Sequence, residues 1–166
     1  MVFRGSAQAR LDSQGRLKIP STYRRLFAGE HGAKVFITST DGKSIRVYPL
    51  ENWIRIEEKL LEMTNSSSVI SPEKQEVHTR TSTAVTKFQT FTSVYGLETN
   101  LDKQGRASIS ARLKNSMFPD GEVDCEVTVI GRPTYLEVWK ESDITRKLEA
   151  IPISEEDSSI LAAYGI

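Results

Sequence analysis

Arg10, Arg16 and Lys18 surround a short Asp12-Ser13-Gln14-Gly15 segment, and their types and spacing suit the binding of a polyanion. A guanidinium is a planar fork of donors that matches guanine O6 and N7 in the major groove, or a phosphate; lysine supplies a less directional charge. On a strand leaving Gly15, Arg16 and Lys18 share one face by period-two alternation, and Arg10 stands just before the turn. The three bases then form a strip along a two-stranded ribbon, an element that the major groove admits. A plainer reading makes Asp12 and Arg16 a salt bridge that merely holds the turn. On spacing alone the plainer reading carries more weight, since charged strand faces are usually just solvated.

No residue pattern points to covalent or metal chemistry. Cys125 is the single cysteine, and its neighbours Asp124 and Glu126 would raise its thiol pKa, the wrong direction for a nucleophile; it reads as a small buried hydrophobe. His31 and His78 stand apart, so no metal-ligand cluster and no cofactor site is expected. Glu57-Glu58 and Glu155-Glu156 are neighbours on solvated helix faces, not opposed acids across a cleft. The chain is not expected to be an enzyme.

The 22 Lys and Arg balance the 22 Asp and Glu, yet the charge is unevenly spread. Arg4, Arg10, Arg16, Lys18, Arg24 and Arg25 face the single acid Asp12 in the first 27 residues, while acids gather at Glu51 to Glu62 and Glu155 to Asp157. A local cationic patch is what phosphate attraction requires. No apolar run approaches the roughly twenty residues of a membrane span, and Met1 to Gly5 lack the apolar stretch of a secretory signal, so a cytoplasmic protein without membrane contact is expected.

The turn occurs twice. LDSQGR at Leu11 to Arg16 returns as LDKQGR at Leu101 to Arg106, Ile19 is echoed by Ile109, and Val47-Tyr48 by Val138-Trp139. Asp can bond the backbone two residues ahead, and Gly15 and Gly105 accept positive φ. A duplicated unit of roughly forty-five residues cannot bury its apolar face alone, so each half needs a partner. The first copy has more bases around its turn than the second, where Arg106 and Arg112 stand, which predicts unequal contributions to binding.

Elements that position these residues follow from periodicity. Pro20 opens a short helix with Tyr23, Leu26 and Phe27 at helical spacing. Val35 to Thr38 and Ile45 to Tyr48 flank Asp41-Gly42, a strong hairpin signal. Pro49 and Leu50 begin a helix whose stripe is Leu50, Trp53, Ile54, Leu60 and Leu61 and which ends by Asn65. Ser66 to Pro72 reads as a linker. The stretch up to Ser93 is ambiguous: Val85, Phe88, Phe91 and Tyr95 fall on a helical stripe, whereas five threonines favour extended chain, and the stripe weighs slightly more. The second copy repeats the plan with a helix around Leu113, Met117 and Phe118, strands at 127–130 and 135–139 and a helix from Ser142. Ser154 and Asp157, at capping-box spacing, begin a last short helix. Trp53 and Trp139 read as core or subunit-contact anchors rather than platforms for bases.

Asp-x-x-Gly-Arg followed by alternating apolar residues, Pro and a short helix resembles the SpoVT-AbrB family of DNA-binding modules, and two copies in one chain resemble the MraZ family of bacterial transcriptional regulators. The resemblance includes Phe3-Arg4-Gly5, Leu11 to Pro20, Val47 to Trp53 and Thr134 to Trp139, nearly the whole chain; Ser110 stands where the first copy has Pro20. It implies an α+β, β-rich fold in which two pseudo-symmetric swapped-hairpin halves form one barrel with short helices. The expected organisation is module 1 at 7–52, helix and connector at 53–96, module 2 at 97–142 and a helical tail at 143–166. It further implies Arg4, Arg10, Arg16, Lys18 and Arg106 as DNA-binding residues, around turns made by Asp12, Gly15, Asp102 and Gly105. The implied partners are double-stranded promoter DNA, in repeated boxes upstream of the division and cell-wall gene cluster, and further copies of the chain in a ring-like homo-oligomer at the nucleoid. The resemblance shifts Arg16 towards DNA and leaves Asp12 its structural role.

Two other functions fit parts of the pattern. An AbrB-like antitoxin would pair one such module with a disordered toxin-wrapping tail, and duplication with an ordered tail argues against it. A structural ring without DNA contact would not need the polarised basic N-terminus.

Overall fold

Short strands with buried residues alternating against outward polar ones assemble the chain, as period-two patterning requires. A computed structural model describes residues 2–27, 33–65 and 72–166; His31 and most of the Ser66 to Pro72 linker lie outside the described residues. The strands are β1 (Ser6–Leu11), β2 (Arg16–Lys18), β3 (Lys34–Thr38), β4 (Ile45–Pro49), β5 (Leu97–Asn100), β6 (Arg106–Ser108), β7 (Cys125–Gly131) and β8 (Leu136–Lys140). The helices are α1 (Ser21–Arg24, continued by a 3₁₀ turn to Phe27), α2 (Leu50–Asn65), α3 (Pro72–Tyr95), α4 (Ala111–Met117), α5 (Glu141–Ala150) and α6 (Glu155–Ala162).

The sheet order is β5-β3-β4-β8-β7-β1-β2-β6, all antiparallel. Its two outer strands, β5 and β6, are consecutive in the chain and meet through the second turn, where the Asp102 N–H donates to the Arg106 carbonyl at 2.9 Å. The result is a nearly closed α+β barrel that leaves little unpaired edge. The halves are swapped: β1 pairs along its length with β7 of the second half, and β5 with β3 of the first. At the pseudo-two-fold axis β2 pairs with β6, and the Ile19 N–H donates to Gly105 O at 2.9 Å while the Ile109 N–H donates to Gly15 O at 3.0 Å. Leu11, Leu17, Ile19, Val35, Ile37, Ile45, Val47, Leu113, Val127, Val129, Leu136 and Val138 are wholly buried in one core fed by both halves.

The Asp41-Gly42 hairpin forms as its local chemistry dictates. Gly42 has φ +68, and the Asp41 carboxylate accepts from the N–H groups of Lys43 and Ser44 and from the Ser39 and Ser44 hydroxyls. Those donors hold Asp41 below the ordinary carboxylate range although burial, the largest single influence, pushes the other way.

The ambiguous Thr-rich stretch is helical. Thr81, Thr83, Thr86, Thr90 and Thr92 each donate a hydroxyl hydrogen bond to the carbonyl four residues earlier, which satisfies the polar group within the helix, while packing of the buried Val85 and Thr92 outweighs the low propensity of these residues. The apolar stripes are only partly covered. Trp53 stacks on Phe36 at 4.2 Å and lies 6.2 Å from Phe88, but Leu61 and Phe91 are exposed. Ser110 has a local use that proline lacks: its hydroxyl accepts from the Leu113 N–H at 3.2 Å and caps α4, which is longer than α1. Cys125 is half-buried rather than fully enclosed; burial pushes its thiol pKa up against the pull of Lys140, and Asp124 adds to the rise. Among the described residues, no helix is long and apolar enough to cross a membrane.

Candidate nucleic-acid interface

Each turn is built identically. The Asp12 carboxylate accepts from the N–H groups of Gln14 and Arg16, both at 3.0 Å, and from Arg16 Nε at 2.8 Å. Asp102 does the same with Gln104, Arg106 and Arg106 Nε at 2.8, 2.9 and 2.8 Å. Gly15 at φ +75 and Gly105 at φ +73 close the turns, each donating its N–H to the aspartate carbonyl at 2.8 Å. The ion pair of the plainer reading therefore exists in both copies. It engages Nε, and among the described residues the outer nitrogens of the Arg16 and Arg106 forks take no side-chain or backbone acceptor. A carboxylate on Nε fixes the plane of the fork and leaves its outer edge presented, the geometry that bidentate recognition uses.

The β2–β6 pair brings the turns onto one ridge. Lys18 lies directly opposite Arg106, and Arg16 opposite Ser108, with Leu17 and Ala107 between them facing the core. Arg16, Lys18 and Arg106 thus share one outer face, as alternation on both strands demands.

Two further bases that the sequence reading did not assign to binding cross the axis. Arg24 donates from Nε to Ile19 O at 2.8 Å and packs so closely over Gly105 that a Cβ there would collide with its guanidinium. Lys114 covers Gly15 in the same way, its Cδ 3.1 Å from where a Cβ would stand. Both are basic and ninety residues apart, the offset of the turn repeat, and that was the signal available in the sequence. With Lys103 in the second turn, the bases around the two turns are more evenly divided than chain order suggested: Arg24 serves the second turn and Lys114 the first.

Arg10 and Arg4 stand differently. Arg10 joins Lys18 and Arg24 in lining a groove of about 540 Å³ beside the ridge, but it is paired with Asp124 at 2.7 Å and faces Glu126 across the β1–β7 ladder. That ion pair holds Asp124 below the ordinary carboxylate range. Arg4 is on the segment leading into β1, at the far end of the strand from Arg10. Its carbonyl accepts from the Tyr23 hydroxyl at 3.1 Å and its backbone packs against Gly131. The ridge therefore unites Arg16, Lys18 and Arg106, has Arg10 at its flank, and does not include Arg4.

The aspartates confer a pH dependence on the turns. Burial opposes ionisation of Asp12, yet the Arg16 N–H, its guanidinium and the Gln14 N–H together lower its pKa; at Asp102 the Arg106 N–H and guanidinium do so. A carboxyl whose pKa is lower in the folded chain stabilises the fold above its unfolded pKa of about 4, and the contribution is lost as pH falls through the folded value. The melting temperature is expected to drop below about pH 4, and Asp12→Asn with Asp102→Asn should flatten that drop. Melting curves between pH 2 and 7 check this; an unchanged acid profile in the double variant would show that the turns do not contribute.

The fold and the paired turns define a class: a duplicated swapped-hairpin module closed into one α+β barrel within a single chain. Comparison with known proteins narrows this. A family model described as "MraZ protein, putative antitoxin-like" matches residues 2–70. Proteins named Transcriptional regulator MraZ are similar over most of the chain. That of Acidobacterium capsulatum is 33% identical over 165 residues, 99% of this chain and 100% of the relative. That of Koribacter versatilis is 31% identical over 166 residues, 99% and 100% respectively, and that of Histophilus somni 28% over 149 residues, 89% and 86%. The chain belongs to the MraZ family. It is a transcriptional regulator, of a family that is not one of enzymes.

Proposed function

We propose that this regulator binds double-stranded promoter DNA by laying the β2–β6 ridge against the major groove, with Arg16 and Arg106 reading base edges and Lys18 and Arg10 contacting phosphates. The observation that supports this best is the pairing of Lys18 with Arg106 across the pseudo-two-fold axis, which concentrates the bases of both copies on one outward ribbon. A major groove admits such a ribbon, and forks pre-oriented by Asp12 and Asp102 lose less freedom on binding. One chain offers only a few such side chains, so affinity comes from several chains linked in a ring-like homo-oligomer on repeated boxes, where effective concentration multiplies weak contacts. By resemblance, those boxes lie upstream of the division and cell-wall gene cluster, and the protein works at the nucleoid in the cytoplasm.

Selection of duplexes from a random pool by the full chain, beside light scattering, tests this. An enriched direct repeat and a mass several times 18.6 kDa are expected. No enrichment would favour a structural ring, and a monomer would remove the multivalent part of the reading.

A further inference from the structure

The last sixteen residues contribute nothing to the common core. Every residue from Ile151 to Ile166 is exposed, including Ile153 at 74% and Tyr164 at 79%. The segment is nonetheless ordered by its own chemistry: the Ser154 hydroxyl accepts from the Asp157 N–H and the Asp157 carboxylate accepts from the Ser154 N–H, a reciprocal capping box. In α6 and the turn after it, Ile160, Leu161 and Tyr164 fall on one face by helical spacing, and Glu156 and Asp157 precede them along the same stripe. The segment holds three acids and no Lys or Arg.

Elsewhere on the molecule is a surface of opposite character. A groove of about 500 Å³ beside α5 has Pro119 and Ala150 as its exposed apolar lining over the buried Met117 and Trp139, with Lys43, Arg146 and Lys147 around it. The Lys147 ammonium lies 4.0 Å over the Trp139 ring, and among the described residues neither Lys43 nor Lys147 has a carboxylate partner. Asp143 is the one acid in the lining, and it is shared between Lys140 at 3.6 Å and Arg146 at 3.9 Å. The groove shares no lining residue with the groove at Arg10.

We propose that the α6 segment of one chain docks in the α5 groove of a second copy, its apolar face on Pro119 and Ala150 and its acids against Arg146 and Lys147. Complementary charge and apolar character identify the occupant, and both surfaces are present at equal concentration in any preparation of the chain. The chain's own groove is disfavoured because Ala150, the last residue of α5, already lines it. Only Ile151 to Ser154 separate it from α6, Ser154 is extended, and all of α6 is exposed in the single chain. Such a tail-to-groove contact is heterologous and propagates from copy to copy until a ring closes. This inference deepens the oligomer proposed above by naming its contact, and it rests on that reading.

Full-length charge reversals test it. Arg146→Glu with Lys147→Glu is expected to reduce the mass in light scattering towards 18.6 kDa, as is Glu155→Lys with Glu156→Lys. Asp157 is kept because it closes the capping box. Mixing the two variants, or combining all four changes in one chain, should restore the assembly, which misfolding would not. In a Trp53→Phe background, where Trp139 is the only tryptophan, its emission should shift with assembly. Reversed variants that keep the wild-type mass overturn the tail contact and leave the oligomer reading intact. Reversal in the groove that lowers DNA affinity at unchanged mass would make the groove a DNA contact and also overturn it. A wild-type chain that is monomeric at micromolar concentration overturns both.

Discussion

Arg16→Ala is expected to weaken binding to a selected cognate duplex by about 1–3 kcal/mol and to reduce its discrimination from scrambled DNA. Arg106→Ala should behave comparably. The order of bases along the chain argued for a heavier loss at Arg16, but the fold evens the two turns: each arginine is held through Nε by its own aspartate, and each turn has a base from the other half laid over its glycine. Lys18→Ala should differ in kind, lowering affinity for cognate and scrambled DNA alike and reducing the salt slope, as loss of a phosphate contact does. Arg10→Ala should follow Lys18→Ala with a smaller effect, because Asp124 already compensates part of the Arg10 charge. Since removing Arg16 also releases Asp12, the ion pair must be separated from recognition. Asp12→Ala breaks the same pair without touching a donor to DNA, so it should lower the melting temperature more than it lowers specificity. Titrations on both duplexes at two salt concentrations, with melting curves, distinguish these outcomes. If Arg16→Ala keeps full specificity while melting earlier, the arginine is only a brace for the turn.

What could be read in the sequence was whatever is decided locally. The Asp41-Gly42 hairpin, the two Asp-x-x-Gly-Arg turns and the Ser154–Asp157 cap are fixed by side chains that bond backbone within four residues, and each formed as residue chemistry predicts. Strand swapping is a different matter. β1 meets β7 more than a hundred residues away, and nothing in the alternation of either strand specifies that partner; only the resemblance implied it. The same limit explains Arg24 and Lys114. Helical spacing assigns Tyr23, Leu26 and Phe27 to one stripe and leaves Arg24 off it, but it cannot say that Arg24 overlies the turn of the other half. Leu61 and Phe91 illustrate the converse: apolar residues at helical period argue for a helix without guaranteeing that its whole stripe is covered.

The swap makes the largest expected effect one of topology. Residues 1–65, produced alone, retain β3–β4 and α2 but lose β7 from β1, β6 from β2 and β5 from β3, so that β1 keeps only its contact at Leu11 and Leu17. Val127, Val129, Leu136 and Val138, all wholly buried in the common core, are then absent and leave Leu11, Leu17, Ile45 and Val47 open to water. Each such loss costs about 1.5–3 kcal/mol, and together they rival the entire ~5–15 kcal/mol that a domain possesses. As a monomer the fragment should show no cooperative melting. Any structure it gains should depend on concentration, because a second copy can offer its β3 where β7 belongs, the two strands being equivalent by pseudo-symmetry. Adding residues 72–166 should restore a cooperative transition at one-to-one stoichiometry. Circular dichroism melts of the fragments alone and mixed, beside light scattering, measure this. A 1–65 fragment that melts cooperatively as a monomer would mean that the halves are independent modules joined by convenience rather than one barrel shared between them.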